Sequence, residues 1–314
     1  MACVPFLFTG AHAEQQWPSR SIRLVVPFPA GGASDTLARS IGERLTSVFG
    51  QTVVVENKTG AGGVIGADSV AKATPDGYTL LLATIATHAI NPALRPDMPY
   101  DAAKDFEPVI LLGSVPNVIL AGPSATFKSL DDLVRQAKAS PGAVAYASAG
   151  TGTSQHLSGE LFQLATGVHL NHIPYRGGPN AIQDVMGGMV PMSFETVLLA
   201  APQEKAGRVR AIAVTSARRS NLLPEVPTLQ ELGVKDFDVS SWQGIWAPRG
   251  TPPEIVARLN AEIGRILGSD AMKAKMGELG MTYEPNTPEE FAAYQQAEQQ
   301  KWARVIKDGN VKLD

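Results

Sequence analysis

Apolar runs of five or six residues recur along the chain, each followed by small or polar residues and then by apolar positions three and four apart. This alternation predicts strand, loop, helix, repeated. Arg23 to Phe28 reads as a strand, Pro29 to Ser34 as a loop and Asp35 to Val48 as a helix. Buried-type strands follow at Thr52 to Glu56 and Thr79 to Thr84, with a helix at Val64 to Ala73 between them. Phe106 to Leu112 and Val118 to Ala121 read as two further strands. Next come a helix over Leu130 to Ala139, a strand at Val144 to Ser148 and a helix opening at Ser154. Strands at Leu170 to Tyr175, Val190 to Glu195 and Val209 to Thr215 enclose a helix at Ala181 to Met186. Ser220 to Thr228 is loop, and Ser240 to Pro248 is an extended aromatic stretch. The remainder is helical, over Pro252 to Leu267, Asp270 to Leu279 and Pro288 to Lys307, with two prolines placed where helices begin.

Such βα repetition predicts an α/β protein with mostly parallel sheets flanked by helices. At 314 residues the chain has room for two cores. A helical tail without strands would pack back on the first of them. The expected division is therefore 14–121 with 241–314 as a discontinuous first domain and 122–240 as a second, crossed near Gly122 and near Ser240.

Two loops carry the chemistry. Pro29 to Ser34 and Gly150 to Ser154 each join a strand to a helix with glycines and hydroxyl residues. Loops of this type leave backbone N–H groups at a helix start, where the helix dipole favours an anion. The candidate ligand residues are Phe28, Ala30, Gly31, Gly32, Ser34 and Asp35 in the first, and Gly150, Thr151, Gly152, Thr153, Ser154 and His156 in and after the second. Thr84, Thr87, His88 and Asn91 follow the C-terminal end of a strand, where open α/β sheets bind ligands. Arg176 and Gly177 lie at another strand end, with the guanidinium suited to a carboxylate and equally to tying down the Tyr175 loop. His88 and His156 are candidate donors to an anion or structural caps. Ser154 reads as the N-cap of its helix. Gly60 to Gly63 nearly match a dinucleotide fingerprint but carry Ile65 where its third glycine belongs, so a close-packing turn is favoured. His169 and His172 would point to opposite faces of a strand, which does not suit a metal pair. Trp242 and Trp246 are expected to seal a hinge or core.

Composition narrows the function further. The net charge of −3 and an aromatic content of 6% offer nothing to nucleic acid or to an acidic membrane surface. Ala2 to Ala13 is small and apolar and ends in Ala11-His12-Ala13, so 1–13 is read as a signal peptide lacking its basic start. The single cysteine, Cys3, lies within it, and cleavage would leave a chain without thiols. No apolar run after it approaches a membrane span, and a signal peptide without a span implies a secreted or periplasmic protein.

Several segments together resemble the Bug/TctC substrate-binding proteins of tripartite tricarboxylate transporters. They are Val26 to Asp35, Val54 to Gly63, Pro75 to Leu80, Tyr146 to Leu157, Pro174 to Gly177 and Val226 to Glu231. The resemblance runs in order along nearly the whole mature chain. It implies a two-lobed periplasmic-binding-protein fold of the Venus flytrap kind. It also implies capture of a small organic carboxylate and delivery to membrane permease subunits, with no cofactor, no metal and no chemistry on the ligand. In the family, backbone amides and ordered waters at the two loops hold a carboxylate. Glu195 and Thr196 stand where relatives commonly carry aspartate and asparagine, at a position that faces the cleft in the family. An ionised Glu195 there would repel a second carboxylate unless Arg176 or a protonated histidine offset it. A monomer is expected. The alternatives are a hydrolase or isomerase on a similar scaffold and a sensor subunit that presents its ligand to a membrane kinase.

Overall fold

The computed structural model describes residues 17–311, so the expected signal peptide and Cys3 lie outside the described residues. Strands β1 (Ile22–Val26), β2 (Val53–Asn57) and β3 (Thr79–Thr84) are parallel, with β1 in the middle. Strands β5 (Ala145–Ser148), β6 (Asn171–Pro174) and β7 (Met192–Thr196) form a second parallel set, with β5 in the middle. Two long antiparallel strands join the sets: β4 (Phe106–Ala121) and β9 (Ser240–Pro248). The continuous order is β2-β1-β3-β9-β4-β7-β5-β6, and β8 (Arg210–Val214) pairs with β4 off this path.

Strand β4 departs from the expectation of two separate strands. It runs unbroken for 16 residues, pairing with β9 through Pro116 and with β7 and β8 from Asn117. Gly113 and Ser114 look like a break in sequence. In the structure the register shifts between Leu111 and Gly113, and Gly113 takes a φ of +137°. The glycine therefore marks a bulge within one strand and not a strand end.

The helices α1 (Ala33–Phe49), α2 (Val64–Ala71), α4 (Leu130–Ala139), α5 (Ser154–Thr166) and α6 (Gly178–Met186) follow the predicted pattern. Two elements were not expected. Residues after β3 coil into a π-helical turn, Ala86–Ile90, that continues into α3 (Asn91–Leu94). Helix α7 (Val197–Lys205) carries Pro202 inside it, which reads as a breaker in sequence. Burial of Val197 and Ala200 holds the helix against the sheet regardless.

Side chains of β1 alternate between the two faces of the sheet. Leu24 joins one core with Leu37, Ile41 and Ile263, while Val25 joins the other with Phe106, Trp246 and Trp302. Helices α8 (Pro253–Leu267), α9 (Asp270–Glu278) and α10 (Pro288–Asp308) close the chain. Helix α10 opens with a capping box of Thr287 and Glu290 and is bolted to β9 by polar contacts. Trp242 Nε1 donates to Glu298 Oε2 at 2.9 Å, Trp302 Nε1 to the same oxygen at 3.0 Å, and Trp246 Nε1 to Gln295 Oε1 at 2.9 Å. Both Trp242 and Trp246 are thus core residues.

Candidate functional site

The first loop leaves β1 and enters α1 with its tip, Ala30, Gly31 and Gly32, exposed. Gly32 is the N-cap of α1, and no side chain caps the helix start. A 17-residue helix therefore presents its positive end to solvent, where an anion would be favoured. Asp35 does not compete for that position. It is buried, accepts from Gly31 N–H at 2.9 Å, from Arg39 Nε at 3.0 Å and from Asn57 Nδ2 at 2.9 Å. Burial alone would raise its pKa, but the bonds from Arg39, Gly31 and Asn57 outweigh burial and hold it at about 2. Its charge is spent on Arg39 and on shaping the loop. Asn57 Nδ2 also donates to Phe28 O at 3.1 Å, which fixes the loop's entry.

The second loop is built differently. Thr153, with extended backbone angles, caps α5 by accepting from His156 N–H, so the capping role expected of Ser154 falls to its neighbour. Ser154 is already helical, and its Oγ donates to Gln155 Oε1 at 3.2 Å. Gly152 N–H donates to His156 Nδ1 at 3.2 Å and Gly150 N–H to Ser148 Oγ at 3.1 Å. These two amides point inward, as Gly31 N–H does towards Asp35 in the first loop.

The glycine turn after β2 meets the second loop through Asn91. Its Nδ2 donates to Gly62 O at 3.2 Å, and a Cβ on Gly152 would lie 3.2 Å from its Oδ1 and 3.3 Å from Leu94. Gly62 and Gly63, read in sequence as a packing turn, thus border the site beside Phe28 and Thr87. Close packing holds at Gly60 and Gly63, where a Cβ would come within 2.5 Å of Ile65 and 2.6 Å of Thr87, and extends to Gly66, where it would come within 2.7 Å of Pro27. No spacing rule links Asn91 to Gly62 or Gly152.

The remaining candidates separate. His88 lies in the core, stacked on Trp246 at 3.9 Å, with Nδ1 against Thr87 Oγ1 at 3.0 Å. Burial pushes its pKa down to about 3, so it is a neutral packing group and offers no charge to an anion. Thr84 and Thr87 are buried with it and bond to one another's backbone and side chain. Arg176 is exposed and its guanidinium makes no bond or ion pair among the described residues, while Asp184 holds Tyr175 Oη at 2.8 Å. The guanidinium therefore does not tie down the Tyr175 loop. Gly177 donates to Ala149 O at 3.1 Å, which joins this loop to the Gly150 loop.

Glu195 is fully buried. Its Oε1 accepts from Thr196 N–H at 2.8 Å and from Gln155 Nε2 at 3.3 Å, and its Oε2 has no partner among the described residues. Burial pushes its pKa up to about 7, despite these bonds. The repulsion argued from sequence required an ionised carboxylate, and burial here favours the neutral acid. Gln155 was missed in sequence because a glutamine in a first helical turn signals nothing by itself.

The cavity of about 760 Å³ bordered by Arg218, Ser240, Trp242 and Glu284 is not lined by the two loops. No helix among the described residues is long and apolar enough to cross a membrane.

Two parallel α/β sets joined by long strands, with glycine loops meeting where they face, define the fold of two-lobed periplasmic binding proteins. A solved structure described as that of a periplasmic transporter superposes with a TM-score of 0.84 at 39% identity, covering 95% of this chain and 100% of that one. The Rhodopseudomonas palustris protein Rpa4515 with adipate gives a TM-score of 0.85 at 38% identity over 94% and 99%. MatC of the same organism, with bound malate, gives 0.81 at 34% over 92% and 100%. The BugT protein of Bordetella pertussis is 41% identical over 298 residues, which is 95% of this chain and 91% of its own. The model of the tripartite tricarboxylate transporter family receptor, TctC, matches residues 37–311. The chain belongs to this periplasmic receptor family.

Proposed function

We propose that this protein captures a small organic carboxylate, with one or two acid groups, between its lobes and hands it to the membrane permease subunits of a tripartite transporter. The lobes are 14–121 with 241–314 and 122–240, and 1–13 directs export. The observation that carries this proposal is the uncapped, exposed start of α1 at Gly32. Adipate and malate in two relatives support the carboxylate class. The exposed Arg176, without an ion pair among the described residues, is the group suited to a second acid, and the burial that favours the neutral form of Glu195 weakens the objection to one.

The protein acts as a binder, as a monomer and without chemistry on its ligand. Ser148 Oγ does sit 2.7 Å from His172 Nε2, but Ser148 is wholly buried and accepts from Gly150 N–H, so it is a bracket and not a nucleophile. Domain closure would follow from a ligand that touches both lobes. A thermal-shift screen of the mature chain with adipate, malate, succinate, benzoate and citrate tests this. Stabilisation by at least one mono- or dicarboxylate, and by no neutral amide counterpart, is expected. No shift with any acid at millimolar concentration would overturn it.

A further inference from the structure

We propose that the stacked imidazoles of His156 and His172 are positioning residues that set the Gly150–Ser154 loop from beneath, and that ligand affinity depends on His156 Nδ1 as a hydrogen-bond acceptor. This rests on the binding role proposed above.

The two rings lie 4.0 Å apart and within 12° of parallel. Each serves one glycine of the loop. Gly152 N–H reaches His156 Nδ1 at 3.2 Å, and Gly150 N–H reaches Ser148 Oγ, which in turn lies 2.7 Å from His172 Nε2. Gly150 and Gly152 both have positive φ, +126° and +80°, so each peptide unit is turned and needs an anchor to hold its orientation. A peptide is planar and trans, so fixing an N–H inward fixes the preceding C=O outward. For the Gly150 unit that carbonyl is Ala149 O, which accepts from Gly177 N–H at 3.1 Å. His156 thereby orients the Gly150 loop directly and His172 through Ser148, and the Arg176–Gly177 loop follows through Ala149 O.

The chemistry of His156 fits an acceptor. Its side chain is 5% exposed, and accepting at Nδ1 places the ring proton on Nε2, towards Glu160 Oε1 at 3.7 Å. That oxygen already accepts from Tyr146 Oη at 2.8 Å and from Gln163 Nε2 at 2.9 Å, so it steers the ring without a bond to it. Burial, and after it the charge of His172, favours neutral His156. A protonated ring would turn a donor against Gly152 N–H.

The variants His156→Asn and His156→Leu separate acceptor from bulk, because Asn Oδ1 can stand where Nδ1 stood. Ser148→Ala, a smaller change, removes the oxygen over Gly150 N–H. Amide hydrogen exchange of the segment 150–156 and titration with adipate and malate are the readouts. In the Leu variant the segment is expected to exchange at least about tenfold faster and the affinity to fall about tenfold, with the Asn variant within about threefold of the parent in both. Ser148→Ala is expected to loosen Gly150 without unfolding the chain. Equal affinity of the Leu and Asn variants, or parental exchange in both Leu and Ala variants, overturns the proposal. If the parent binds neither acid, the binding role fails for them, and the exchange comparison still decides the positioning.

Discussion

Replacing Glu195 with glutamine should make the protein's stability less dependent on pH, in a direction the structure dictates. The carboxyl is fully buried with one oxygen unpartnered, and burial raises it from 4.5 to about 7. A carboxyl raised on folding contributes its full stability below pH 4.5, and that contribution is lost as the pH rises through about 7. At about 1.4 kcal/mol per pH unit, the ionised form costs about 3 kcal/mol above pH 8. Glutamine cannot ionise and keeps an oxygen for Thr196 N–H and Gln155. Its amide nitrogen would replace Oε2 without a partner, a cost of about 1 kcal/mol at every pH. The variant should therefore be slightly less stable than the parent at pH 4.5 and more stable by about 2 kcal/mol at pH 8.5. Thermal and urea unfolding of both proteins at the two pH values measures this, and effects of the histidines cancel in the difference. A difference that stays constant within about 0.5 kcal/mol would refute the reasoning, because the Glu195 carboxyl would then not be raised on folding.

Gly32→Ala should leave stability within about 0.5 kcal/mol of the parent, since φ is −77° and a Cβ would meet only Pro29 O at 3.5 Å. Carboxylate affinity should still fall about tenfold if the ligand lies against that backbone, and unchanged calorimetric affinity would place the ligand elsewhere. Acid should destabilise the fold through His88 and His156, both held down to about 3 by burial, His156 also by His172. Their contribution is present above pH 6.5 and is lost as the pH falls towards 3, about 3 kcal/mol each at pH 4. Denaturation of a His88→Phe variant should show a shallower acid slope, and an identical slope counts against it. Glu298→Leu should cost about 2–4 kcal/mol by stranding the indole N–H groups of Trp242 and Trp302, read as a lowered unfolding midpoint.

Local features were the most legible in sequence. Strand β3 and helix α4 coincide with their predicted ranges, because apolar spacing and a serine cap are local signals. The start of α1 was read two residues late, at Asp35, and Gly31 and Gly32 contribute no side chain to cap it. What escaped depends on distant partners. His88 looks like a site residue after a strand, and its packing against Phe106 and Trp246, farther along the chain, makes it core. Glu195 was read as charged because its burial against Gly178 and Gln155 is tertiary. The inward turn of the Gly150 and Gly152 amides depends on Ser148 and His156 accepting them, which composition does not reveal.

The central claim is that a carboxylate, and not merely a molecule of similar shape, is bound. Calorimetric titration of the mature chain with adipate, malate and the neutral diamide of adipate tests it most directly. Saturable 1:1 binding of at least one acid, with none detectable for the diamide, is the expected result. Equal binding of the acid and its diamide, or silence from both acids at millimolar concentration, would contradict it.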